Sequence, residues 1–169
     1  YKRPDCLIRL LTSITEQLYK EYEIIITDDS PGDEVRTVLK AFTHLPIQYF
    51  NNKPALGAPG NWNYAMAKAK GDWVQLLHID DWYSSPASLQ QFVDAINTGK
   101  ADFIFCASQE INFAANSTKN MQLTEKKRQL LDGGAENLLY DNVIGHPSTV
   151  IHKKDAGIEY DANFKWVVD

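Results

Sequence analysis

Two spacings of apolar residues alternate along the first hundred positions. Leu7, Leu10, Leu11, Ile14 and Leu18 recur every three or four residues, which predicts a helix with one apolar face. It opens at Pro4 and Asp5, and a proline suits a first helical turn. Glu23-Ile24-Ile25-Ile26-Thr27 is a continuous β-branched run and predicts a buried strand of the parallel kind. A polar turn from Asp28 to Asp33 leads to Val35, Val38, Leu39 and Phe42, a second helix, and Ile47 to Phe50 predicts a short strand. Residues 51–60 hold two prolines and two glycines and read as a loop. Asn61 is placed to cap a helix from Trp62 to about Lys70, ended by Gly71. A strand from Trp73 to Leu77 follows. A helix with Leu89, Phe92, Val93 and Ile96 comes next and stops near Gly99.

The second part of the chain is less regular. Asp102 to Ala107 predicts a strand, with Glu110 to Phe113 either its continuation or an antiparallel partner. From Ala114 to about Asp132 the chain is polar; Thr124 can cap a helix to Leu131, broken by Gly133-Gly134. Ala135 to Tyr140 reads as a short helix. Gly145-His146-Pro147-Ser148 reads as a turn into a strand from Thr149 to His152. The tail from Asp155 to Asp169 has no clean period. Strands alternating with helices up to residue 97 predict an α/β fold, a mostly parallel sheet flanked by helices. The length of 169 residues fits one domain, divided into a regular half at 1–97 and a less regular half at 98–169.

Composition narrows the function classes without choosing one. The net charge of −5, with no basic stripe bearing aromatics, argues against a nucleic-acid partner. No apolar run approaches membrane-spanning length. Cys6 and Cys106 are far apart and lack metal-ligand spacing, so they read as buried thiols of a reducing compartment. The chain opens directly into a helix at Tyr1 and stops inside an apolar run, which suggests a segment of a longer protein.

The chemistry concentrates at two acidic pairs. Val74 to Ile79 is an apolar run ending in Asp80-Asp81-Trp82, and Ile24 to Thr27 ends in Asp28-Asp29. Parallel strands place such ends on one sheet edge, where open α/β sheets bind ligands. Two carboxylate pairs converging there suit a hard divalent cation. The alternative for each pair is a turn or helix cap.

Four blocks in order carry a family resemblance. They are Tyr1-Lys2-Arg3-Pro4, then Glu23 to Ser30, then Asn61-Trp62-Asn63-Tyr64-Ala65 with Gly71-Asp72-Trp73, then Leu77-His78-Ile79-Asp80-Asp81-Trp82. Their order and spacing resemble glycosyltransferase family 2, whose members are inverting, nucleotide-sugar-dependent enzymes of the GT-A (Rossmann-like) fold. The resemblance implies a donor, UDP-sugar in the first instance, and a saccharide or lipid-linked saccharide acceptor in surface polysaccharide or glycan synthesis. It implies a single GT-A domain, truncated at both ends, that works in the cytoplasm or at the inner face of the membrane.

The same resemblance implies residue roles. Asp29 reads the nucleobase and Asp80 the ribose. Asp28 is counted on the donor side, with a turn role as its alternative. Asp81 is the ligand for Mn²⁺ or Mg²⁺ in the DxD motif. Asp169 is the general base. Gly57 and Asn61 approach the sugar or diphosphate, with a loop glycine and a helix cap as alternatives. His146 and Trp82 belong to the acceptor or diphosphate side. His78 stands where the family often has Asp. The family's first strand, which lies centrally in the sheet, would end just before Tyr1. Two rival readings are a sugar-phosphate nucleotidyltransferase, whose Gly-rich basic loop Tyr1-Lys2-Arg3-Pro4 does not resemble, and a non-catalytic nucleotide- or glycan-binding domain of this fold.

Overall fold

The computed structural model describes residues 3–139, 141–161 and 163. Helix α1 (Pro4–Thr15) buries Leu7, Leu10, Leu11 and Ile14, the face the spacing predicts. It stops earlier than expected, and Leu18 is 66% exposed. The cause is a buried amide. Gln17 donates from Nε2 to the carbonyls of Ser13 (3.0 Å) and Ser85 (2.9 Å), and its Oε1 accepts from the Leu89 N–H (2.8 Å). Leu18 N–H then pairs with the Pro86 carbonyl at 2.8 Å, so the chain leaves the helix to join residues 85–89.

Strand β1 (Ile24–Asp28) pairs in parallel with β2 (Ile47–Asn51), and α2 (Glu34–Leu39) connects them. Ile24 and Ile26 pack on the α1 cluster together with Val35, Val38 and Ile47. Phe42 lies beyond α2 yet joins the same cluster. Helix α3 (Ala58–Lys68) packs on β1, where Thr27 Oγ1 donates to the Asn61 carbonyl at 3.2 Å.

Two boundaries differ from the sequence reading here. The helix begins at Ala58, with Gly57 at the cap position and Pro59 in the first turn, so Asn61 lies inside it. It ends at Lys68, and Lys70 and Gly71 instead give their N–H groups to the Glu23 carboxylate. Chiefly through the Lys70 N–H, those bonds hold the Glu23 carboxyl below its usual range.

A second sheet has β7 (Val150–Lys153) between β3 (Trp73–Val74) and β4 (Phe103–Phe105), antiparallel to both. β3 is only two residues long; residues 75–78 lie outside any described ladder, and Ile79 already belongs to the turn with Asp80. Helix α4 (Ser88–Asn97) turns out at Gly99, whose φ is 64°. After it comes a hairpin: β5 (Ser108–Asn112) overlaps the strand expected at Glu110 to Phe113, and it pairs antiparallel with β6 (Ser117–Met121), which periodicity did not show. Helix α5 (Glu125–Asp132) starts as expected, with Thr124 Oγ1 accepting from the Lys127 N–H at 3.3 Å.

Among the described residues no strand bridges β1 and the 75–79 segment. Between them lies a cavity of about 1060 Å³, lined by Leu7, Leu11, Ile24, Ile26, Leu77 and Ile79 among others. The side of β1 away from β2 faces that slot. The Ile24 N–H bonds to the Pro46 carbonyl and the Asn52 N–H to the Asp28 carbonyl, so the alternate groups at Ile25 and Thr27 point the other way.

Leu11 is 1% exposed at the centre of the core. Leu11→Ala is expected to destabilise the fold by about 2–5 kcal/mol, read from the midpoint of urea unfolding. A midpoint that does not move would mean that the α1 cluster is not the core.

Candidate donor and metal site

The segment that carries Asp80 and Asp81 is locked to the second half of the chain by polar groups. The His78 N–H donates to Ser148 Oγ at 2.9 Å, and Gln75 Nε2 donates to the Ser148 carbonyl at 2.8 Å. Tyr83 OH donates to Gln75 Oε1 at 2.6 Å, and the Tyr83 N–H reaches Ser13 Oγ at 3.1 Å. Burial pushes the Tyr83 phenol far up, so it stays a donor. Gln75 and Ser148 escaped the sequence reading. The signal available was a polar residue inside an otherwise apolar run.

Asp80 and Asp81 sit in the turn closed by the Asp81 N–H to the His78 carbonyl, 3.1 Å. Asp80 is exposed and Asp81 half-buried. Asp81 Oδ2 stands 3.6 Å from Nδ1 of His146. That nitrogen is shielded from solvent and has no hydrogen-bond partner among the described residues. The loop holding it is well fixed. The Gly145 N–H donates to Asn142 Oδ1 (2.9 Å), Asn142 Nδ2 donates to the Gly145 carbonyl (2.8 Å), and Thr149 Oγ1 donates to the His146 carbonyl (2.8 Å).

The Asp81 carboxylate oxygen suits a hard divalent cation such as Mn²⁺, and the imidazole nitrogen 3.6 Å away is a second donor facing the same space. Among the described residues no group of three or more His, Cys, Asp or Glu side chains could hold a metal. An ion here would therefore take its remaining ligands from phosphate and water, the usual arrangement where substrate phosphates complete the shell.

At the end of β1 the two neighbouring aspartates do different work. Asp28 is buried, with Oδ1 accepting from the Ser30 N–H (2.8 Å) and Oδ2 from Tyr49 OH (2.8 Å). Both oxygens are used inside the fold, so the turn role is the one its geometry gives. Asp29 points to the loop before α3. Its Oδ1 accepts from Asn52 Nδ2 (2.8 Å), and its Oδ2 accepts from the Leu56 (3.1 Å) and Gly57 (2.9 Å) N–H groups. Gly57 has φ 76°, a conformation that favours glycine, and this turns its N–H toward Asp29. Asn61 links the same parts: Oδ1 accepts from Asn52 Nδ2 (2.8 Å) and Nδ2 donates to the Thr27 carbonyl (3.3 Å). Asp29, Gly57, Asn61 and Asp80 all border the slot beside β1.

The Tyr49 phenol is pushed up to about 12, first by burial and then by its bond to Asp28. A pKa raised on folding means stability that is whole below the unfolded value near 10 and lost as pH rises through about 12. Melting temperature is therefore expected to fall over that window, and less steeply in Tyr49→Phe. Equal slopes would show that the Tyr49–Asp28 bond does not support the turn.

The His78 ring stacks on Trp62 with centroids 4.9 Å apart, and Trp62 also meets Tyr160 edge-on at 5.0 Å. Asn63 pairs twice with the Tyr160 backbone, each bond 2.8 Å. The chain beyond β7 thus returns to α3, beside the segment that carries the acidic pair. Asp169 lies outside the described residues.

The family described as Glycosyl transferase family 2 matches residues 1–156. The chain belongs to that family. Its relatives include "Uncharacterized glycosyltransferase YwdF" of Bacillus subtilis (strain 168), 29% identical over 126 residues, covering 75% of this chain and 46% of that protein. Another is the Escherichia coli "UDP-Glc:alpha-D-GlcNAc-diphosphoundecaprenol beta-1,3-glucosyltransferase WfaP", 29% identical over 131 residues, with 68% and 51% covered. The chain spans about half the length of these two relatives. Among solved structures, S. aureus TarS 1-349 in complex with UDP overlays 99% of this chain and 50% of that one, at 20% identity and TM-score 0.74. A mannosyltransferase, PcManGT from Pyrobaculum calidifontis with GDP-Man and Mn²⁺, overlays 96% and 46%, at 16% identity and TM-score 0.66. The family 2 domain accordingly has the GT-A fold, of which this chain forms part.

Proposed function

We propose that this family 2 domain is the donor-binding part of a metal-dependent inverting glycosyltransferase that uses a UDP-sugar to extend a saccharide or lipid-linked saccharide. The observation that carries the reading is the facing pair Asp81 and His146, at a turn shared with the exposed Asp80 and anchored from both halves of the chain. Relatives named as glucosyltransferases on diphosphoundecaprenol-linked sugars support the acceptor class, and the UDP-bound neighbour supports the base. Among the described residues no helix is long and apolar enough to cross a membrane. Lipid-linked acceptors would place the enzyme at the inner face of a membrane.

The tasks implied by the family resemblance divide among these residues. Asp81, with His146 across from it, would hold Mn²⁺ or Mg²⁺, which would supply positive charge against the leaving diphosphate. Asp80 accepts from the ribose hydroxyls. Asp29 accepts the ring N–H of the base while keeping the 56–57 loop in place, since a carboxylate has more acceptor sites than its three bonds use. Gly57 and Asn61 shape the diphosphate side of that pocket. Asp169 takes the proton from the acceptor hydroxyl as that oxygen attacks the anomeric carbon from the face opposite the diphosphate, which inverts configuration.

The test is turnover by the intact protein with a set of UDP-sugars and a synthetic N-acetylglucosaminyl diphosphate lipid, with NMR of the new anomeric centre. An inverted product supports the reading. A retained configuration, or nucleotide binding with no turnover on any donor, would contradict it, the latter in favour of a binding domain. A narrower expectation concerns the base. Asp29→Asn should weaken UDP binding by about tenfold or more, because the amide presents a donor to the ring N–H on one side. Unchanged affinity would remove Asp29 from the base pocket.

A further inference from the structure

A polar row on α1 grips the chain just after the acidic turn. Arg9 and Ser13 are four residues apart, so they share a helix face, and Gln17 takes the next place in the row past the helix end. The three engage the chain in sequence order. Arg9 lies over the Trp82 ring, 4.7 Å from its centroid. Ser13 Oγ accepts from the Tyr83 N–H at 3.1 Å. Gln17 bonds the Ser85 carbonyl and the Leu89 N–H. Ser13 and Gln17 are buried, and their bonds satisfy buried polar groups. Arg9 is half-buried, and no carboxylate pairs with it among the described residues.

The row ends at Arg9 in a contact that burial does not explain. Phe113, in the turn between β5 and β6, stacks on Trp82 with ring centroids 6.4 Å apart and planes at 27°. The Arg9 guanidinium is also 4.8 Å from the Phe113 centroid, so one cation covers both rings. A planar, weakly hydrated guanidinium suits that place. Phe113 stays 66% exposed, and the strands that carry it are mostly polar and exposed. The contact hides little apolar surface. Its effect falls on Trp82, which α1 and the hairpin hold together.

Trp82 follows Asp81 directly. Before the acidic turn the backbone is fixed by the His78 N–H on Ser148 Oγ, and after it by the Trp82 ring. Among the described residues the Asp81 carboxylate itself meets only His146, at 3.6 Å. Its direction is therefore set through the backbone on either side. We propose that Arg9 and Phe113 are positioning residues, which clamp Trp82 and so hold the Asp81 carboxylate in the orientation that takes a divalent cation. They touch neither the cation nor the substrate. The role rests on the metal-dependent reading of the turn, and it has a signature of its own. A carboxylate that spends less time in the competent orientation lowers metal affinity by that fraction, and excess metal restores occupancy.

The test uses the intact protein labelled with 5-fluorotryptophan, with the Trp82 resonance assigned through Trp82→Phe and Mn²⁺ as the probe. Paramagnetic broadening of that fluorine signal reads metal beside Asp81 without turnover, and glycosyl transfer is followed over a range of Mn²⁺. Arg9→Ala and Phe113→Ala should each raise the Mn²⁺ needed for half-broadening about tenfold, and the Mn²⁺ needed for half-maximal transfer by the same factor. At saturating Mn²⁺, kcat should return to within about threefold of wild type. Arg9→Lys and Phe113→Tyr keep a cation and a ring and should restore most of the affinity. Wild-type Mn²⁺ curves in both alanine variants would overturn the clamp and leave the metal site in place. A fall in kcat that saturating Mn²⁺ does not recover would overturn it too. No broadening in the wild-type protein would overturn the metal reading and the clamp with it. A protein that transfers no sugar but shows the tenfold shift in broadening would defeat the glycosyltransferase reading and keep the clamp.

Discussion

Replacing Asp81 by Ala is expected to reduce glycosyl transfer by on the order of a thousandfold, because a cation that neutralises a leaving diphosphate contributes several kcal/mol to the transition state. The fold should survive. Asp81 is half-buried, among the described residues its carboxylate has no close partner other than His146 at 3.6 Å, and the turn depends on its backbone N–H rather than its side chain. Circular dichroism and urea unfolding of the variant should therefore match wild type while activity disappears. His146→Ala should fall between the two, with metal affinity weakened and activity partly restored by added Mn²⁺, since one of two protein ligands remains. Asp81→Ala that keeps wild-type activity would move the metal elsewhere or remove it from the reaction. Loss of activity together with loss of fold would assign Asp81 a structural role.

Asp169→Asn is expected to lower kcat by about 10²–10⁴-fold, the usual contribution of a positioned general base. UDP affinity and acceptor KM should hold, since this carboxylate is assigned to the acceptor proton alone. In the described part of the chain, Tyr160 is bound to Asn63 and packs on Trp62, whose ring stacks on His78, two residues before Asp80. Weakened UDP binding with unchanged kcat would place Asp169 on the donor side instead.

Where burial and period coincide, the sequence was readable. Leu7 to Ile14 and Ile24 to Thr27 have one apolar solution each, and both elements formed there. Before Asp80-Asp81 only Trp73–Val74 formed strand, and residues 75–79 are half-buried rather than core. The errors came where a single polar group decides a boundary. Gln17 ends α1 by bonding residues 85 and 89, far away in sequence, and no local pattern carries that. Asn61 is a good capping residue by type, yet its side chain is claimed by Asn52 and the Thr27 carbonyl, and Gly57 supplies the helix start. Of the β5–β6 hairpin, the strand expected at Glu110 to Phe113 overlaps β5, but β6 was missed because Ser117–Met121 is almost wholly polar, so alternation between a wet and a dry face has nothing to show. Within the site, the carboxylates were visible as types and positions. Their division of labour was not: Asp28 turns inward to Tyr49 and Ser30, and Asp29 outward to the loop at Leu56-Gly57.

The central claim is that a divalent cation joins a nucleoside diphosphate to Asp81. Calorimetric titration of UDP into the intact protein, with Mn²⁺ and then with EDTA, tests it most directly. The account predicts binding that needs the metal and weakens by at least tenfold, or about 1.4 kcal/mol, when it is removed. Equal UDP affinity in Mn²⁺ and in EDTA would contradict it, and so would the absence of UDP binding to the folded, metal-loaded protein.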